Sequence, residues 1–538
     1  MHREGMIVAP QPEAAEAGAV VLQRGGNAVD ATIAAALVQT VVDPQMCGIA
    51  GFGSLQLYCP GTGVHTCIDA HGRCPTAVTE GMWADCILGE TRDGFGFILR
   101  DFVNECGYQA ITTPGILRVF AEAAEAHGTW DWRDLVAPAI AEAKRGVTIR
   151  PHLFALWNRD ERRFGRMNYG EKLGVTPAGR AIYLAPDGGY RRAGQRIDNP
   201  DMAHTLQRIA DEGAETLFTG ALAGEIDADM RRHGALMTGA DLASYRTQHL
   251  APLWGEYRGH RIATNNPPGG GIVLLELLHI LEGFDLAALG HNSPRFIQVM
   301  AEAMKCVSRD KEQFVSDPRF VDVPVVRLTS KQYGAEIAAA IRAGERFTVP
   351  RLGAEAAETT HISCMDAIGN VVSLTHSLGT PSGVVTEGHG FMYNGCMAVF
   401  DPRPGRTGSI APGKSRFASM APTIVFKGDQ PIISLGAPGG THIPLALAQV
   451  LVNMLDFGMS MSDAVIAPRM SATSALIDVC NRIPRYTQAA LEAEGYQVER
   501  THLSYAFAAV HGIALGADGR MHGGADPQRD GMALAVPV

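Results

Sequence analysis

Two hydroxyl side chains, Thr359 and Ser377, lie near the two ends of a segment whose pattern predicts a β-hairpin. Two sets of side chains alternate over 359–365, with the period of two that is typical of a strand. Residues 366–370 have the composition of a turn, and 371–375 are rich in β-branched residues. A register symmetric about the turn places the two hydroxyls opposite each other. An ordinary pair of strand hydroxyls is the alternative that this pattern leaves open.

A second candidate for chemistry is the turn at Gly439 and Gly440. A predicted strand at 431–435 runs into this turn, and a predicted helix at 442–456 begins directly after it. A strand, a Gly-rich turn and a helix start bring several backbone N–H groups to one concave point, which suits an anion or a developing oxyanion. A tight strand–helix connection with no chemical role is the alternative reading of the turn taken alone.

Composition argues against several classes of function. The chain has 538 residues, a hydrophobic content of 46% and a charged content of 19%, which are ordinary values for a globular protein. Its formal net charge of −10 argues against nonspecific nucleic-acid or anionic-membrane binding. No apolar run approaches the roughly 20 residues that a membrane helix needs. Because the N-terminus has no signal-peptide pattern, we expect a cytoplasmic protein, and a periplasmic one only if a leader was removed.

The cysteines show no metal-binding or disulfide pattern. There are 10 of them, none in a C-x-x-C pair, and no Cys/His group has zinc-finger spacing. We therefore expect free, buried thiols. No metal and no cofactor is predicted.

The segment 408–415 matches the P-loop pattern G-x-x-x-x-G-K-S. A P-loop needs a strand before it and a helix that begins at the Lys-Ser pair. The Pro-rich residues 401–405 before it do not fit a central strand, and 417–425 predict a turn into a strand. Nucleotide binding therefore remains only a remote alternative, which a saturable assay lost in Lys414→Ala would revive.

Other periodic segments supply the elements that would position these candidates. Asn27 is expected to cap a helix, with Asp30 three residues on, and 351–358 resembles an exposed linker. Further helices are predicted at 13–24, 31–42, 115–127, 132–146, 272–284, 293–314 and 335–348, and further strands at 54–58, 67–70, 254–264 and 423–426.

Motifs along nearly the whole chain resemble the γ-glutamyltranspeptidase family. Thr359-Thr360-His361 at a linker–strand junction resembles the family's catalytic motif, and Pro438-Gly439-Gly440 resembles its downstream glycine motif. Further segments that resemble the family, in the same order, are 5–9, 25–31, 113–115, 241–245, 266–268, 300–303, 419–425 and 467–469.

The resemblance implies a fold and a processing step. Members of this family are N-terminal-nucleophile hydrolases with a four-layer αββα sandwich, and they cut their own chain before the catalytic threonine. Carried over, the cut falls between Glu358 and Thr359, giving a large part, 1–358, and a small part, 359–538, of one intertwined catalytic domain. The two parts would form a heterodimer, and a dimer of these is left open.

The resemblance also implies catalytic roles. A Thr hydroxyl is a poor nucleophile without an adjacent base. Cleavage would give Thr359 a free α-amine of reference pKa about 8 to act as that base, so the uncut precursor should be inactive. Ser377 matches the family position that hydrogen-bonds the nucleophile. Gly439 and Gly440 match its oxyanion-hole glycines.

The positions that match the family's carboxylate contacts are partly changed. Ser419 matches one of two adjacent serines that hold the substrate carboxylate, and the other aligns with Ala418. The family's carboxylate-binding arginine aligns with His71, with Arg73 two residues further on. Ser419, Arg73 or Lys414 could bind a carboxylate on a smaller or less polar acyl group.

The positions that receive the glutamyl amine in the family are also changed. An asparagine aligns with Gly379, and the acidic and amide residues align with Cys396 and Val399. A glutamyl ammonium beside Val399 would be desolvated and unpaired, which is costly. Asn394 could do part of this work if the alignment shifts. The loop 401–416 is short and lacks an aromatic lid residue.

These differences place the chain on the divergent side of the family, with the cephalosporin acylases and oxamate amidohydrolase. We predict a self-processing amidohydrolase that cleaves the amide of a small carboxylate-bearing or acyl substrate. Hydrolysis is favoured over transpeptidation because no acceptor site is visible. The alternatives are a conventional γ-glutamyltransferase or glutathione hydrolase and, in a different class, an uncleaved, non-catalytic relative.

Overall fold

Two β-sheets lie face to face in the computed structural model, which describes residues 4–91, 96–349 and 359–537. In chain order their strands are β1 (Glu4–Ala9), β2 (Phe52–Cys59), β3 (Val64–Ala70), β4 (Gln248–Leu250), β5 (Leu253–Tyr257), β6 (His260–Thr264), β7 (Thr360–Met365), β8 (Val371–Ser377), β9 (Thr423–Lys427), β10 (Gln430–Gly436), β11 (His511–Leu515), β12 (Met521–Ala525) and β13 (Met532–Pro537). The first sheet has the order β13-β1-β7-β8-β2-β3-β4, and the second has the order β12-β11-β10-β9-β6-β5.

The predicted hairpin is β7 and β8, at the centre of the first sheet. The two strands pair antiparallel, and Thr360 lies opposite His376. One step further out, this register places Thr359 opposite Ser377, as predicted. The carboxylate of Asp366 accepts backbone N–H bonds within the turn, which fixes the register.

The inner faces of the two sheets pack against each other. The Ser434 hydroxyl of β10 donates to the Ser363 hydroxyl of β7 at 3.2 Å, and the Ser373 hydroxyl of β8 donates to the carbonyl of Leu435 at 3.1 Å. A buried apolar cluster fills the rest of the interface: Met6, Val8, Ala263, Met365, Val371, Ile424, Phe426, Ile513 and Met521.

Helices cover the outer face of each sheet. Those with residues in the apolar core of the first sheet include α1 (Pro12–Gln23), α2 (Ala28–Val42), α3 (Ile116–His127), α4 (Trp132–Arg145) and α5 (Pro200–Glu212). Those with residues in the apolar core of the second sheet include α6 (Gly271–Leu281), α7 (Pro294–Phe314), α8 (Lys331–Arg342) and α9 (Ile443–Leu455). The layers follow the order αββα, which confirms the predicted fold.

Shorter elements connect these layers. The remaining α-helices are Pro151–Trp157, Tyr169–Lys172, Pro177–Tyr183, Ala221–Arg232, Gly239–Ser244, Leu286–Leu289, Val325–Leu328, Met461–Ile466 and Arg485–Ala493. The remaining strands are Ile87–Glu90, Phe97–Leu99, Val147–Thr148, Arg196–Ile197, Pro381–Val385, Met392–Asn394, Met470–Ser471, Ile477–Val479 and Val498–Arg500.

The helix α2 lies beneath the hairpin and is buried on all sides. Its start is the predicted cap, because the Asn27 side chain accepts the N–H groups of Val29 and Asp30 while Asp30 accepts that of Asn27. Every residue of α2 is buried. A helix that is buried around its whole circumference lies inside the protein core.

Some predicted boundaries were wrong. The single strand predicted at 254–264 is the hairpin β5–β6, which turns at Arg258 and Gly259, both with positive φ. The helix predicted at 335–348 begins earlier, since the Ser330 hydroxyl caps α8 by accepting the N–H of Tyr333. The predicted linker at 351–358 lies outside the described residues.

Two expectations from composition can be compared with the structure. All ten cysteines lie in the described ranges and are free, and eight of them are buried, as predicted. No helix in the described part of the chain has the length and apolar character needed to cross a membrane. The cytoplasmic location stays a prediction.

Candidate active site

The Thr359 and Ser377 side chains meet at the open end of the hairpin. The Thr359 hydroxyl donates to the Ser377 Oγ at 3.3 Å, and Thr359 is only 4% exposed. The Ser377 Oγ also accepts the backbone N–H of Gly379 at 2.7 Å. The serine oxygen is therefore held in place by a backbone donor while it contacts the threonine hydroxyl.

Thr359 faces the second sheet, because side chains alternate along the strand. His361, two residues on, contacts the Thr375 and Ser363 hydroxyls through its two ring nitrogens, both at 2.9 Å. The strand β10 crosses directly over this ring, since a Cβ on Gly436 would lie 2.2 Å from the His361 Cε1. The threonine hydroxyl therefore points into the space between the sheets.

The direction of β10 brings the Gly439-Gly440 turn toward Thr359. Ser434 packs on Ser363, and Gly436 packs on His361. Moving two residues toward the C-terminus of β10 therefore corresponds to moving two residues toward the N-terminus of β7. Two residues further in the same directions, β7 leads to Thr359 and β10 leads into the turn. Gly439 has φ 149° and Gly440 has φ 53°, values that L side chains rarely adopt.

A buried polar network supports the hairpin from the α2 side. Gln39 donates to the Thr360 hydroxyl at 2.9 Å and to the Gln11 carbonyl oxygen at 2.6 Å, and its own oxygen contacts the His376 ring at 2.8 Å. Gln11 in turn donates to Asp43 at 2.6 Å. Because these groups are buried and hydrogen-bonded, they fix the start of β7, directly after Thr359.

Three histidines near the hairpin are kept neutral by burial. Burial lowers the pKa of His376 to about 3 and, with the charges of Arg529 and Arg469, lowers the pKa of His511 to about 3. Burial, with His511 and His376 nearby, holds the pKa of His361 well below its ordinary value. These rings serve as neutral hydrogen-bonding groups in the folded protein.

Acid should therefore destabilise the fold below about pH 6.5. Below this pH the two histidines bind protons in the unfolded chain, whereas buried His376 and His511 stay neutral in the folded protein. Each of them therefore lowers the free energy of unfolding by up to about 1.4 kcal/mol for each pH unit of acidification. Urea titrations at about pH 6.5 and about pH 5 measure this loss. The His376→Gln variant removes one titrating ring and should show a shallower pH dependence. Equal midpoints at both pH values in the unaltered protein would contradict the prediction.

His71 and Arg73, the two candidates on the early strand-loop, have different surroundings. The His71 ring is 3% exposed, its Nε2 lies 3.8 Å from the Asp69 carboxylate, and neither ring nitrogen has a hydrogen-bond partner within the described ranges. The Arg73 guanidinium instead donates to the Arg246 carbonyl at 2.7 Å and stacks on the Tyr245 ring. The structure does not bring Arg73 to the hydroxyl pair.

Asn394 is engaged with the backbone. Its amide donates to the carbonyls of Ala50 and Thr112, and its oxygen accepts the N–H and the hydroxyl of Thr112 and the N–H of Cys396. Its described contacts use both amide hydrogens and the oxygen. This geometry gives Asn394 a structural role in holding the Cys396 segment.

Lys414 lies in a loop whose carbonyls it binds. Its Nζ donates to the carbonyls of Thr407 and Ser409 at 2.8 and 3.0 Å. As predicted, no helix starts at Lys414 or Ser415 in the described chain, so the match to the P-loop pattern lacks the P-loop geometry.

Ser419 lines a small cavity next to the glycine turn. Lys311, Phe417 and Thr441 line the same cavity, which measures about 20 Å³, roughly the space that one water molecule needs. Thr441 directly follows Gly440, and its buried hydroxyl has no hydrogen-bond partner among the described residues. A small cavity whose lining includes hydroxyl groups therefore adjoins the predicted oxyanion turn.

Ala418 lies on the opposite side of this segment, with Arg416, a residue that the sequence interpretation missed. Ala418 belongs to an apolar cluster with Phe52 and Cys396. Arg416 is 3% exposed, and its Nη1 lies 3.3 Å from the Cys396 Sγ. The alternating pattern of residues 416–420 could have indicated the position of Arg416. It assigns Arg416 and Ala418 to one face of the segment and Phe417 and Ser419 to the other.

A separate acidic group lies in the helices over the second sheet. Glu276, Cys306 and Asp310 have ligand atoms within 4.8 Å of one another, close enough to hold a metal ion. Asp310 already accepts bonds from Tyr333 and Arg309, and burial, with Asp310 nearby, raises the pKa of Glu276 well above its ordinary value. The Asp310 carboxylate is therefore already engaged by neighbouring side chains.

Comparisons with known proteins cover nearly the whole chain. The family model described as Gamma-glutamyltranspeptidase matches residues 14–536. The chain is 36% identical to the Acylase ACY 1 proenzyme of Pseudomonas sp. (strain V22) over 99% of this chain and 93% of that protein. It is 30% identical to the Glutathione hydrolase proenzyme of Bacillus subtilis (strain 168), over 99% and 92%. The crystal structure of cephalosporin acylase from Bacillus halodurans superimposes with a TM-score of 0.87 at 29% identity, over 99% and 96%.

Proposed function

Because the chain belongs to the gamma-glutamyltranspeptidase family and is a self-processing N-terminal-nucleophile amidohydrolase, we propose that Thr359 is its nucleophile. The observation that carries this proposal is the contact between the Thr359 and Ser377 hydroxyls at 3.3 Å. Thr359 immediately precedes the central strand β7 and faces the space between the sheets, toward the Gly439-Gly440 turn. A substrate that enters from this end of the sheet can place its carbonyl carbon next to the buried Thr359 hydroxyl.

The cut is proposed between Glu358 and Thr359, although Glu358 lies outside the described residues. Thr359 has φ 155°, which a β-branched residue rarely adopts. Cleavage of the preceding peptide removes this constraint, because the nitrogen becomes a free α-amine. That amine, with a reference pKa of about 8, can take the hydroxyl proton directly or through one water. An amide nitrogen cannot act as this base.

The proposed reaction has two acyl-transfer steps. The Thr359 Oγ attacks the amide carbonyl carbon of the substrate, and the α-amine takes its proton and passes it to the leaving amine. Water then attacks the resulting ester, the α-amine accepts a proton from this water and returns it to the Thr359 Oγ as the ester bond breaks, and the acid leaves. In both steps the N–H groups of Gly439 and Gly440 stabilise the oxyanion, and Ser377 positions the nucleophile. We propose that water is the usual acceptor.

The acyl group is proposed to be small and to carry a carboxylate or another hydrogen-bond acceptor. His71, Gly379, Cys396, Ala418 and Ser419 are the proposed contacts. A relative named as an acylase and the similar cephalosporin acylase structure support an acyl group other than glutamyl. Glutathione hydrolysis is the second candidate, favoured by the 30% identity to a protein of that name.

Two experiments test the proposed function. A denaturing gel of the purified protein should show fragments corresponding to 1–358 and 359–538, which we propose remain together as a heterodimer. A screen of oxamate, acyl β-lactams and a γ-glutamyl chromogenic amide should then identify the acyl group. Turnover by an uncut chain would contradict the mechanism. A γ-glutamyl amide that outperforms all other substrates would decide for the second candidate.

The Ser377→Ala variant should lower kcat by about 10- to 100-fold, the scale of a lost hydrogen bond to a charged or developing group. It removes the acceptor of the Thr359 hydroxyl and leaves the Gly379 N–H without its partner. Steady-state rates on the best substrate measure the effect. Ser377→Thr keeps the hydroxyl and should retain most of the activity.

Ser373→Ala is the matched control for this variant. Ser373 lies on the same strand, is equally buried and also bonds the backbone, at the Leu435 carbonyl and the Thr423 N–H. Its loss should lower the free energy of unfolding by about 1 kcal/mol and leave kcat nearly unchanged. Equal losses of kcat in the Ser373 and Ser377 variants would contradict a specific role for Ser377.

A further inference from the structure

The turn at Gly439 and Gly440 packs against the backbone that leads into β11. The strands β10 and β11 are neighbours in the second sheet, and their pairing continues past the strand ends, because the Ala509 N–H donates to the Pro438 carbonyl at 2.9 Å. One residue further along, a Cβ on Gly439 would lie 2.2 Å from the Ala508 Cβ and 2.5 Å from the Ala508 Cα. The position of Ala508 therefore limits where the turn can lie.

This second segment, 507–509, has an unusual backbone conformation. Phe507 has φ 66° and Ala508 has φ 65°, left-handed values that residues with a side chain rarely adopt. Both residues are buried. Such a conformation costs free energy, so it persists only where the surrounding structure holds it. The shape against which the turn packs therefore depends on a contact from outside the segment.

The Arg469 side chain makes that contact. Its Nη2 donates to the Ala508 carbonyl at 2.9 Å and to the Asp526 carboxylate, and its Nη1 donates to the Val465 carbonyl. Arg469 is 2% exposed and Asp526 is 0% exposed. Hydrogen bonds from a charged donor are stronger than those between neutral groups. Because the guanidinium is buried and held by an opposite charge, it fixes the Ala508 carbonyl at one position.

From these contacts we infer that Arg469 is a positioning residue for the oxyanion. It holds Ala508 in the left-handed conformation, and Ala508 in turn limits where Gly439 can lie. The N–H groups of the turn thereby keep the direction that the forming oxyanion needs. This inference rests on the proposed function and extends it to a residue that acts through a neighbouring segment. A displacement of about 1 Å in such a group can lower the rate by about 100-fold.

The double variant Arg469→Met/Asp526→Asn tests the inference without leaving an unpaired buried charge. Its kcat on the best substrate should fall by about 10- to 100-fold, whereas KM should change by less than about threefold, because the oxyanion forms only as the carbonyl reacts. Arg469→Lys keeps a charged donor beside Asp526 and should lose less, about 3- to 10-fold in kcat. Steady-state kinetics measure these changes.

Arg258→Met/Asp456→Asn is the matched control. Arg258 also pairs with an aspartate, at 2.9 Å, and also donates to backbone carbonyls, those of Glu282 and Phe284. It lies beside the β5–β6 turn, at the end of the second sheet where β10 begins, away from the oxyanion turn. The control should lower the unfolding midpoint in urea and leave kcat and KM nearly unchanged. The same midpoint reports whether each Arg469 variant folds.

Hydrogen exchange of the backbone amides tests the same contact without a substrate. In the Arg469→Met/Asp526→Asn variant, the amides of 437–441 and 507–510 should exchange at least about tenfold faster than in the unaltered protein, while those of β7 and β8 keep their rates. The Arg258 control should leave exchange in both segments unchanged. Mass spectrometry of peptic fragments measures these rates.

Three outcomes would overturn the inference: normal kcat with normal exchange at the turn in either Arg469 variant, a KM that rises as much as kcat falls, or an equal loss of kcat in the control. Arg469→Lys carries the test if the double variant does not fold. A loss of kcat in Gly439→Ala alone would leave the proposed function intact. Faster exchange at the turn, with normal kcat in both the Gly439 and the Arg469 variants, would instead count against the proposed function.

Discussion

The Thr359→Ala protein is expected to remain a single chain and to lose turnover by about 10⁴-fold or more, the scale seen when a hydrolase loses its nucleophile. One substitution should produce both losses, because the same hydroxyl is proposed to cut the chain and to attack the substrate. A denaturing gel measures the first loss, and the rate on the best substrate measures the second. Thr359→Ser keeps a hydroxyl and should retain cleavage and turnover at lower rates.

Thr375→Ala is the control for this result. Thr375 is also a buried threonine of the hairpin, and its hydroxyl contacts the His361 ring at 2.9 Å. The control should be less stable by about 1 kcal/mol but should still be cut and active. A Thr359→Ala protein that separates into the two fragments, or turns over substrate at a normal rate, would rule out Thr359 as the nucleophile.

Gly439→Ala should lower kcat by about 10²- to 10³-fold, the cost of a lost oxyanion donor. The new Cβ would lie 2.2 Å from the Ala508 Cβ, and the residue would keep a φ of 149° that alanine rarely adopts. The turn must therefore move, and its N–H groups move with it. KM should change much less than kcat, because the oxyanion forms only as the carbonyl reacts. The slower step should also slow the chain cut.

The Gly428→Ala variant is the control that distinguishes an effect on catalysis from the effect of backbone strain alone. Gly428 lies in the turn at the other end of the β9–β10 hairpin, with φ 61°, and a Cβ there meets nothing within 4 Å. This variant should cost about 1 kcal/mol of stability, through the positive φ, and leave kcat unchanged. If Gly439→Ala retains full kcat while losing stability, the turn is only a connection between strand and helix.

The sequence predicts best where local chemistry is sufficient. The turn that Asp366 stabilises fixes the register of β7 and β8, so the opposition of Thr359 and Ser377 follows from a few neighbouring residues. The cap of α2 at Asn27 is equally local. The direction in which β10 crosses His361 depends on packing between layers, and no local pattern determines it.

Long side chains in loops are the least predictable part of the site. Arg73 and Arg416 lie on neighbouring extended segments, yet one guanidinium stacks on Tyr245 and the other reaches Gly379. An arginine side chain can span several ångströms in many rotamers, so its target depends on which space the fold leaves unfilled. Because Gly379 has no side chain, the space beside it is left for the Arg416 guanidinium.

The position of β1 in the first sheet has a consequence for the proposed cut. β1 belongs to 1–358 and is hydrogen-bonded on one side to β13 and on the other to β7, both from 359–538. The two fragments would be interlocked, because separating them would break these two ladders, the β8–β2 ladder of the same sheet and the β9–β6 ladder of the second sheet. Dissociation would then be the same event as denaturation. The uncut chain can refold by itself, whereas two separated fragments would first have to associate. The cut protein would therefore persist because it unfolds slowly, not because it refolds.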